Sequence, residues 1–386
     1  MSTERRHTIH PAPYTGSIDW ALNQRATADV VLSPGTSGTN GAWWFTAAST
    51  GNRVDEFRAL IYGGSVSGSG PECVLGFSAY PTRIVNGVAA SYFELFRTNA
   101  TRHANYTIDA RPNLPVLPVK ALHVHGSGAS ISDVTVRYVN GDRKVLEGEG
   151  FGILVGAQYT GTYAGMTAEI GGATIERCRV EVNSGAYACG IYPGFAPEIR
   201  AADFIGQTVL PSVVRDCVVV CRGGFSNRGH CGFGLNHRTR FERCTSSGLN
   251  RPFFSDTGSG ADCVIEQCYA DGASVALELR GSVVSDYRQR YDIRDSTFVL
   301  DGAEGCGYVA GLVMADDTAT KDCRFGDVVF EGCRFVNASP FVGHVGSSTA
   351  RKVTGPTVFK GCTFAGKWDR AQADAAGWVL TDCRGI

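Results

Sequence analysis

The chain has 386 residues, of which 43% are hydrophobic and 19% charged, so it can bury a substantial core. Lys and Arg number 36 against 37 for Asp and Glu, which gives a net charge of -1 and no run of one sign that would attract nucleic acid or an anionic membrane. The apolar stretches are far shorter than the roughly 20 residues of a bilayer-spanning helix. These features exclude a disordered chain and predict no nucleic-acid or membrane partner.

The N-terminal sequence MSTERRHTIH lacks the apolar segment and cleavage site of a secretory signal. The 14 cysteines favour a reducing compartment. We therefore expect a cytoplasmic protein, or a virion protein if a phage encodes it. Residues 1–16 are predicted to form an N-terminal arm and residues 17–386 a single domain.

Thirteen of the 14 cysteines lie from Cys178 onward, and many of them end a recurring four-residue signature. The signature is an apolar residue, two polar residues or one polar residue and Gly, and then Cys or a small residue. It occurs nine times, in ISDV, IERC, VRDC, FERC, IEQC, IRDS, FEGC, FKGC and LTDC, ending at Val134, Cys178, Cys217, Cys244, Cys268, Ser296, Cys333, Cys362 and Cys383. Successive copies are 21 to 44 residues apart, about 31 on average, a spacing typical of solenoid repeats.

The residues around each signature predict two short strands joined by a bend. An apolar residue recurs two positions after the signature, as in Val180 and Val219, and period two indicates a strand. A second apolar series precedes it, as in Gly190-Ile191. The polar pair suits a bend in which a positive φ is sometimes required. The cysteines are predicted to fill the core of stacked coils as small apolar side chains and not to form disulfides.

In these nine signatures the chain resembles the pectin-lyase-like right-handed parallel β-helix superfamily. The resemblance covers about residues 17–383 and implies an all-β fold, a single-stranded right-handed parallel β-helix. It also implies a short N-terminal capping helix, for which residues 17–24 are the candidate and Ser17 the N-cap. The longer intervals predict loop insertions around residues 139–172, 193–212 and 300–326.

Polar side chains near three successive strands are candidates for catalysis, because stacked coils make neighbours of residues far apart in sequence. In Val275 to Arg280, the alternation directs Val275, Leu277 and Leu279 inward, and it directs Glu278 and Arg280 outward. Four residues are predicted to be catalytic: His237, Asp256, Glu278 and Arg280. Three more are predicted to bind substrate: Tyr192, Asn236 and His344.

Two mechanisms fit these residue types. In hydrolysis, Asp256 and Glu278 would form the carboxylate pair, and a separation of about 5 Å on adjacent coils would favour a retaining outcome. In β-elimination, Arg280 would neutralise a uronate carboxylate while His237 removes the C5 proton. No metal or cofactor is predicted, because the His-x-His pair at residues 123 and 125 lacks a third ligand.

The predicted function is that of a carbohydrate-active enzyme that holds a saccharide or glycan in a groove and acts by lyase, hydrolase or epimerase chemistry. A polygalacturonase-like member would show NTD, DD, GHG and RIK motifs, and here only Gly229-His230-Cys231 partly matches one of them, the GHG motif. A pectate-lyase-like member would show a cluster of Asp ligands for calcium, and the sequence has no convincing set. Two alternatives stay open. One is a phage tail-spike-like glycan-binding or depolymerase module, which would form a trimer. The other is an intracellular isomerase or cyclase with a closed pocket for a small metabolite.

Overall fold

A computed structural model describes most of the chain from residue 57 onward and shorter segments before it. The described residues are 6–9, 28–32, 42–45, 57–61, 64–77, 84–85, 88–89, 93–98, 102–109, 119–124, 127–139, 150–156, 169–183, 188–194, 208–222, 231–236, 238–255, 262–272, 275–280, 289–300, 310–316, 323–338, 340–344, 353–354 and 356–386. The predicted capping helix at residues 17–24 lies outside them.

The described residues form many short strands and one short helix. The first strands are β1 (Arg6–Ile9), β2 (Ala28–Leu32), β3 (Ala42–Phe45), β4 (Phe57–Ile61), β5 (Gly64–Gly68), β6 (Val74–Phe77), β7 (Ile84–Val85), β8 (Val88–Ala89), β9 (Phe93–Thr98), β10 (Arg102–Asp109), β11 (Val119–Val124) and β12 (Ser130–Val139). The middle strands are β13 (Gly150–Val155), β14 (Glu169–Gly171), β15 (Thr174–Glu176), β16 (Arg179–Asn183), β17 (Ala188–Pro193), β18 (Thr208–Leu210), β19 (Ser212–Arg215), β20 (Val218–Arg222), β21 (Cys231–Gly234), β22 (Thr239–Glu242), β23 (Thr245–Leu249), β24 (Arg251–Phe254), β25 (Cys263–Glu266), β26 (Tyr269–Gly272) and β27 (Val275–Arg280). The last elements are β28 (Gln289–Arg294), β29 (Thr297–Leu300), β30 (Ala310–Asp316), β31 (Cys323–Glu331), β32 (Arg334–Val336), β33 (Pro340–His344), β34 (Val353–Thr354), β35 (Thr357–Lys360), β36 (Thr363–Ala365), helix α1 (Arg370–Ala375) and β37 (Val379–Thr381).

Two long parallel sheets enclose the core. In the described parts of the chain, sheet A has 23 strands, which include those before and after each bend, and sheet B has ten. The strands of sheet B, in spatial order, are β4, β9, β11, β13, β17, β21, β24, β27, β30 and β33. The architecture is the right-handed parallel β-helix that the resemblance to the pectin-lyase-like superfamily implied. No helix among the described residues is long and apolar enough to span a membrane.

The intervals predicted as loop insertions contain strands as well. Strand β13 lies in the first interval and β30 in the third, and both belong to sheet B. The reason is that most coils supply one strand to sheet B in addition to the two that flank the bend. Strands β14 and β18 pair with each other in a small separate sheet.

Each of the nine signatures bends at its third residue, which has a positive φ. These residues are Asp133 (55°), Arg177 (50°), Asp216 (54°), Arg243 (50°), Gln267 (54°), Asp295 (46°), Gly332 (63°), Gly361 (60°) and Asp382 (55°). Only two are glycine, although this conformation costs other residues about 1–2 kcal/mol. The backbone N–H at the bend donates to a carbonyl of the next coil, as from Arg243 to Glu266 (3.0 Å), which helps to hold the conformation. Asn105 (58°) marks a further bend that the sequence pattern missed.

The residue that ends each signature is buried in the interior, except for the partly buried Cys383, which packs against the core. Cys217 is buried, and its Sγ donates to the carbonyl of Ile175 in the preceding coil (3.5 Å). Six other signature cysteines donate to preceding carbonyls in the same way, at 3.4 to 3.7 Å: Cys178, Cys244, Cys268, Cys333, Cys362 and Cys383. No disulfide forms among the cysteines whose side chains the structure describes. These thiols therefore act as small core side chains whose S–H groups are satisfied by backbone oxygens.

The alternation predicted for β27 is correct for two of its three apolar residues. Leu277 and Leu279 belong to the core cluster, but Val275 does not, and Ala276 takes its place. Two consecutive residues therefore face the core where the chain curves into sheet B. A Cβ on Gly152 of β13 would lie 2.4 Å from the core side chain of Val180, so the same curvature occurs there. Strict period two fails because the strand bends around a narrow core.

Ion pairs cross the bends of neighbouring coils on the outer surface of sheet A. Arg243 binds Asp216 through Nε–Oδ1 (2.7 Å) and Nη2–Oδ2 (2.9 Å), and Arg177 binds Asp133 in the same bidentate way. Both members of the Arg243–Asp216 pair are well exposed, at 48% and 40% of the side chain. Such pairs contribute little stability, and salt screens them.

We expect the Arg243–Asp216 pair to stabilise the fold slightly at neutral pH and not in acid. The hydrogen bond from Arg243, followed by its charge, lowers the pKa of Asp216. A carboxyl group with a lowered pKa in the folded state stabilises that state above its unfolded pKa and loses the effect as the pH falls through the folded pKa. Urea midpoints of the wild type and Arg243→Gln should therefore differ slightly at about pH 7 and coincide at about pH 2. A larger difference in acid would contradict this account.

Candidate functional site

The outer face of sheet B, the side that points away from the core, aligns side chains from many coils in two rows. In the first row, His123 is the register partner of Leu154, and Leu154 is that of Tyr192. Further along the same row, Gly234 is the partner of Phe254, and Phe254 is that of Glu278. In the second row the register pairs Phe151 with Cys189, Cys189 with Cys231, and Cys231 with Arg251. Residues between 151 and 278 thus become neighbours on one surface.

Six residues of this face form an apolar cluster separate from the core, here called the outer cluster. They are Phe151, Leu154, Cys189, Tyr192, Cys231 and Phe254, and none is more than 5% exposed. The ring of Tyr192 meets that of Phe151 edge to face, with centroids 5.1 Å apart. A Cβ on Gly234 would lie 2.6 Å from the Tyr192 ring, so the ring lies over this glycine. These side chains are covered as completely as the core, so they form a second apolar layer outside sheet B.

A buried ion pair adjoins the outer cluster. Glu278 is 0% exposed, and its Oε2 lies 3.3 Å from Nε of Arg251, whose side chain is 16% exposed. The guanidinium of Arg251 also lies over the ring of Phe254, 4.8 Å from its centroid. A carboxylate that is removed from water needs such a partner, because an isolated buried charge is very costly. The face therefore combines aromatic rings with a buried ion pair.

The predicted site residues fall into two groups. Tyr192 and Glu278 lie in the same row of the outer face, three strands apart, and Asn236 is 2% exposed just after β21. Within the described part of the chain, Oδ1 of Asn236 has no hydrogen-bond partner. His237 and Asp256 lie outside the described residues. Only the backbones of Arg280 in β27 and His344 in β33 are described.

Sequence reasoning missed Arg251 and Phe254. Both belong to β24, whose sequence is Arg-Pro-Phe-Phe. The predicted outward direction of Glu278 is correct, since its neighbours Leu277 and Leu279 are in the core, but the face it occupies is buried. The register that places Phe254 opposite Glu278 was the missing signal. Among the described residues, no group of three or more His, Cys, Asp or Glu is arranged to hold a metal ion.

Fold and site together define a right-handed parallel β-helix with a buried aromatic and charged outer face. No family model matches the chain, and no curated protein matches its sequence. Among solved structures it is similar to a variant of the tailspike protein of E. coli bacteriophage HK620 in complex with a pentasaccharide, at 11% identity and a TM-score of 0.55 over 97% of this chain and 63% of that one. A second variant with pentasaccharide has 10% identity and a TM-score of 0.53, over 93% of this chain and 64% of that one. The likeness shows the fold, and the chain spans less than two thirds of the tailspike's length.

Proposed function

We propose that the protein binds and cleaves a saccharide on the outer face of sheet B. One observation carries the proposal: on this face buried aromatic rings adjoin the buried Arg251–Glu278 pair. Aromatic faces pack against the apolar faces of sugar rings, and glycosidic bond cleavage requires a carboxyl group at the reacting bond. The pentasaccharide bound by the structurally similar tailspike supports a glycan as the ligand.

In the proposed reaction Glu278 is the catalytic carboxylate and Arg251 is its positioning residue. Arg251 already pairs with the carboxylate of Glu278 at 3.3 Å, so it is not available to neutralise the carboxylate of a uronate, as β-elimination would require. Hydrolysis therefore fits this face better. Asp256 is proposed as the second carboxylate. Elimination assisted by Arg280 and His237 is the alternative chemistry for the same saccharide. Asn236 and His344 are proposed as further substrate contacts.

Replacement of Tyr192 by Ala tests the position of the saccharide site. Tyr192 contributes a buried ring to the outer cluster, so Tyr192→Ala should weaken saccharide binding about tenfold or more. The matched control is Tyr269→Ala, because Tyr269 is 40% exposed in β26 of sheet A. Binding to a panel of oligosaccharides is measured by calorimetry, with thermal unfolding as a check of the fold. Equal affinities for both variants, or no binding by the wild type to any member, would refute the proposal.

A closed site for a small metabolite is the second candidate, because Glu278 is 0% exposed. An isomerase or cyclase of this kind would enclose its whole substrate. A closed site predicts that single-ring ligands bind as tightly as oligosaccharides, whereas the leading proposal predicts tighter binding of longer chains.

A tail-spike-like trimer and a virion location remain proposals. Light scattering at several protein concentrations tests the trimer.

A further inference from the structure

The outer surface of sheet A carries a row of charged side chains, one on each of β15, β19, β22, β25, β28, β31 and β35. Strand register makes each of them the direct neighbour of the next. The residue before each one, such as Ile265 before Glu266, belongs to the core, so the charged side chains point outward. This charged row consists of Glu176, Arg215, Glu242, Glu266, Arg294, Glu331 and Lys360.

Charges at equal distances on either side of Glu266, the centre of the row, have opposite signs. From the centre outward, the pairs are Glu242 with Arg294, Arg215 with Glu331, and Glu176 with Lys360. A second copy of the chain whose coil axis runs the opposite way would therefore place an opposite charge against each of these residues. Within the row, Glu266 alone would meet its own copy, and Arg240 of each chain binds it.

A second outward row lies two residues earlier in the same strands and has the same symmetry. This row, called the valine row, consists of Thr174, Val213, Arg240, Val264, Asp292, Val329 and Val358. About its centre, Val264, Arg240 matches Asp292 and Val213 matches Val329. In a reversed copy, valine would meet valine and each charge would meet an opposite charge. Both rows therefore have one common centre, β25.

Other alignments of two copies bring like charges together. A shift of one coil in one direction would place Arg215 opposite Arg294, and a shift in the other direction would place it opposite Lys360. A parallel arrangement in register would place each charge opposite its own copy. Because like charges repel across an interface, the pattern favours one antiparallel alignment over its neighbours.

The face is accessible and large enough for a weak, specific contact. Arg215 and Arg294 bind carboxylates of their own chain but keep 44% and 46% of the side chain exposed, so each can bind a second carboxylate. From β12 to β37 the face is about 40 Å long, because adjacent strands are about 4.8 Å apart. With a width of about 15 Å it would bury about 1,200 Å² in total, near the lower limit for stable interfaces.

We propose that this face of sheet A binds a second copy of the chain in an antiparallel dimer with two-fold symmetry. The symmetry axis runs along β25 between the copies, so each contact away from the axis occurs twice. The valines contribute apolar area, and the ion pairs fix the alignment. The dimer uses no residue of the proposed saccharide site, so it does not depend on the proposed function.

Two charge reversals that complement each other test the interface. Arg215→Glu or Glu331→Lys alone should weaken dimerisation at least about tenfold, because like charges then meet at two places. An equimolar mixture of the two variants should form a heterodimer about as tightly as the wild type dimerises, because opposite charges face each other again at both places. The control is Arg334→Glu, which makes the same charge change as Arg215→Glu on β32, after a bend, and should dimerise as the wild type does.

Sedimentation equilibrium of the full chain gives the dissociation constants, with one variant of the mixture fluorescently labelled. The wild-type dimer should have a Kd of about 1–100 μM and should weaken in about 1 M NaCl, because salt screens its ion pairs. A wild type that stays monomeric at about 1 mM, forms a trimer or is unaffected by salt would overturn the proposal without any variant. A mixture that associates no better than either variant alone would also overturn it.

Discussion

Replacement of Glu278 by Gln is expected to lower the turnover of a saccharide substrate by about 10² to 10⁴-fold. The amide has the same shape as the carboxylate, but it can neither transfer a proton at this site nor act as a nucleophile. Glu278 is fully buried beside Arg251, so a carboxylate from the buffer cannot take its place. The measurement is kcat and KM on the saccharide that the wild type cleaves. A variant within about twofold of the wild type would remove Glu278 from the mechanism.

A matched substitution separates catalysis from general loss of charge. Glu266 in β25 also pairs with an arginine, Arg240, but it lies on the outer surface of sheet A with 26% of its side chain exposed. Glu266→Gln should leave turnover unchanged.

Stability must also be separated from turnover, because Glu278→Gln leaves the guanidinium of Arg251 without its carboxylate. The double variant Glu278→Gln/Arg251→Met removes both charges. It should recover stability relative to the single variant and remain inactive. Recovery of activity in the double variant would show that the single variant fails through folding alone.

Truncation of Phe253 to Ala is expected to destabilise the fold by about 3–5 kcal/mol. Phe253 is 0% exposed and stacks on Phe233 of the preceding coil, with ring centroids 5.0 Å apart. It also meets Phe241 and Phe298 edge to face, at 5.7 and 6.5 Å. Removal of its ring therefore leaves a cavity against three other rings, which neighbouring strands held in a parallel stack cannot easily close.

The unfolding midpoint in guanidinium chloride measures this effect. The control is Val379→Ala in β37, where the side chain is 54% exposed and the expected change is within about 0.5 kcal/mol. In a stacked solenoid each coil contacts only its neighbours, so loss of this ring also weakens the coupling between the coils on either side. A midpoint shift for Phe253→Ala as small as that of the control would contradict the packing described here.

The sequence alone determined the repeating unit and where each coil bends. The four-residue signature is local chemistry: an apolar residue, a polar pair and a small residue that fits the core. All nine copies bend at the expected place, with a positive φ at residues as different as Arg243, Gln267 and Gly361. Local patterns suffice here because hydrogen bonds between coils hold the same turn regardless of the residue.

Only the tertiary structure decided which residues meet on the outer face of sheet B. The 21 to 44 residues between signatures do not reveal the register that brings Phe254 opposite Glu278 or Cys189 opposite Cys231. Strict alternation also mispredicted Val275, because the strand curves at the corner of the coil. The sequence likewise could not show that Glu278 is buried. Burial and pairing depend on side chains from several coils at once, whereas a bend depends on a few residues and the coil next to them.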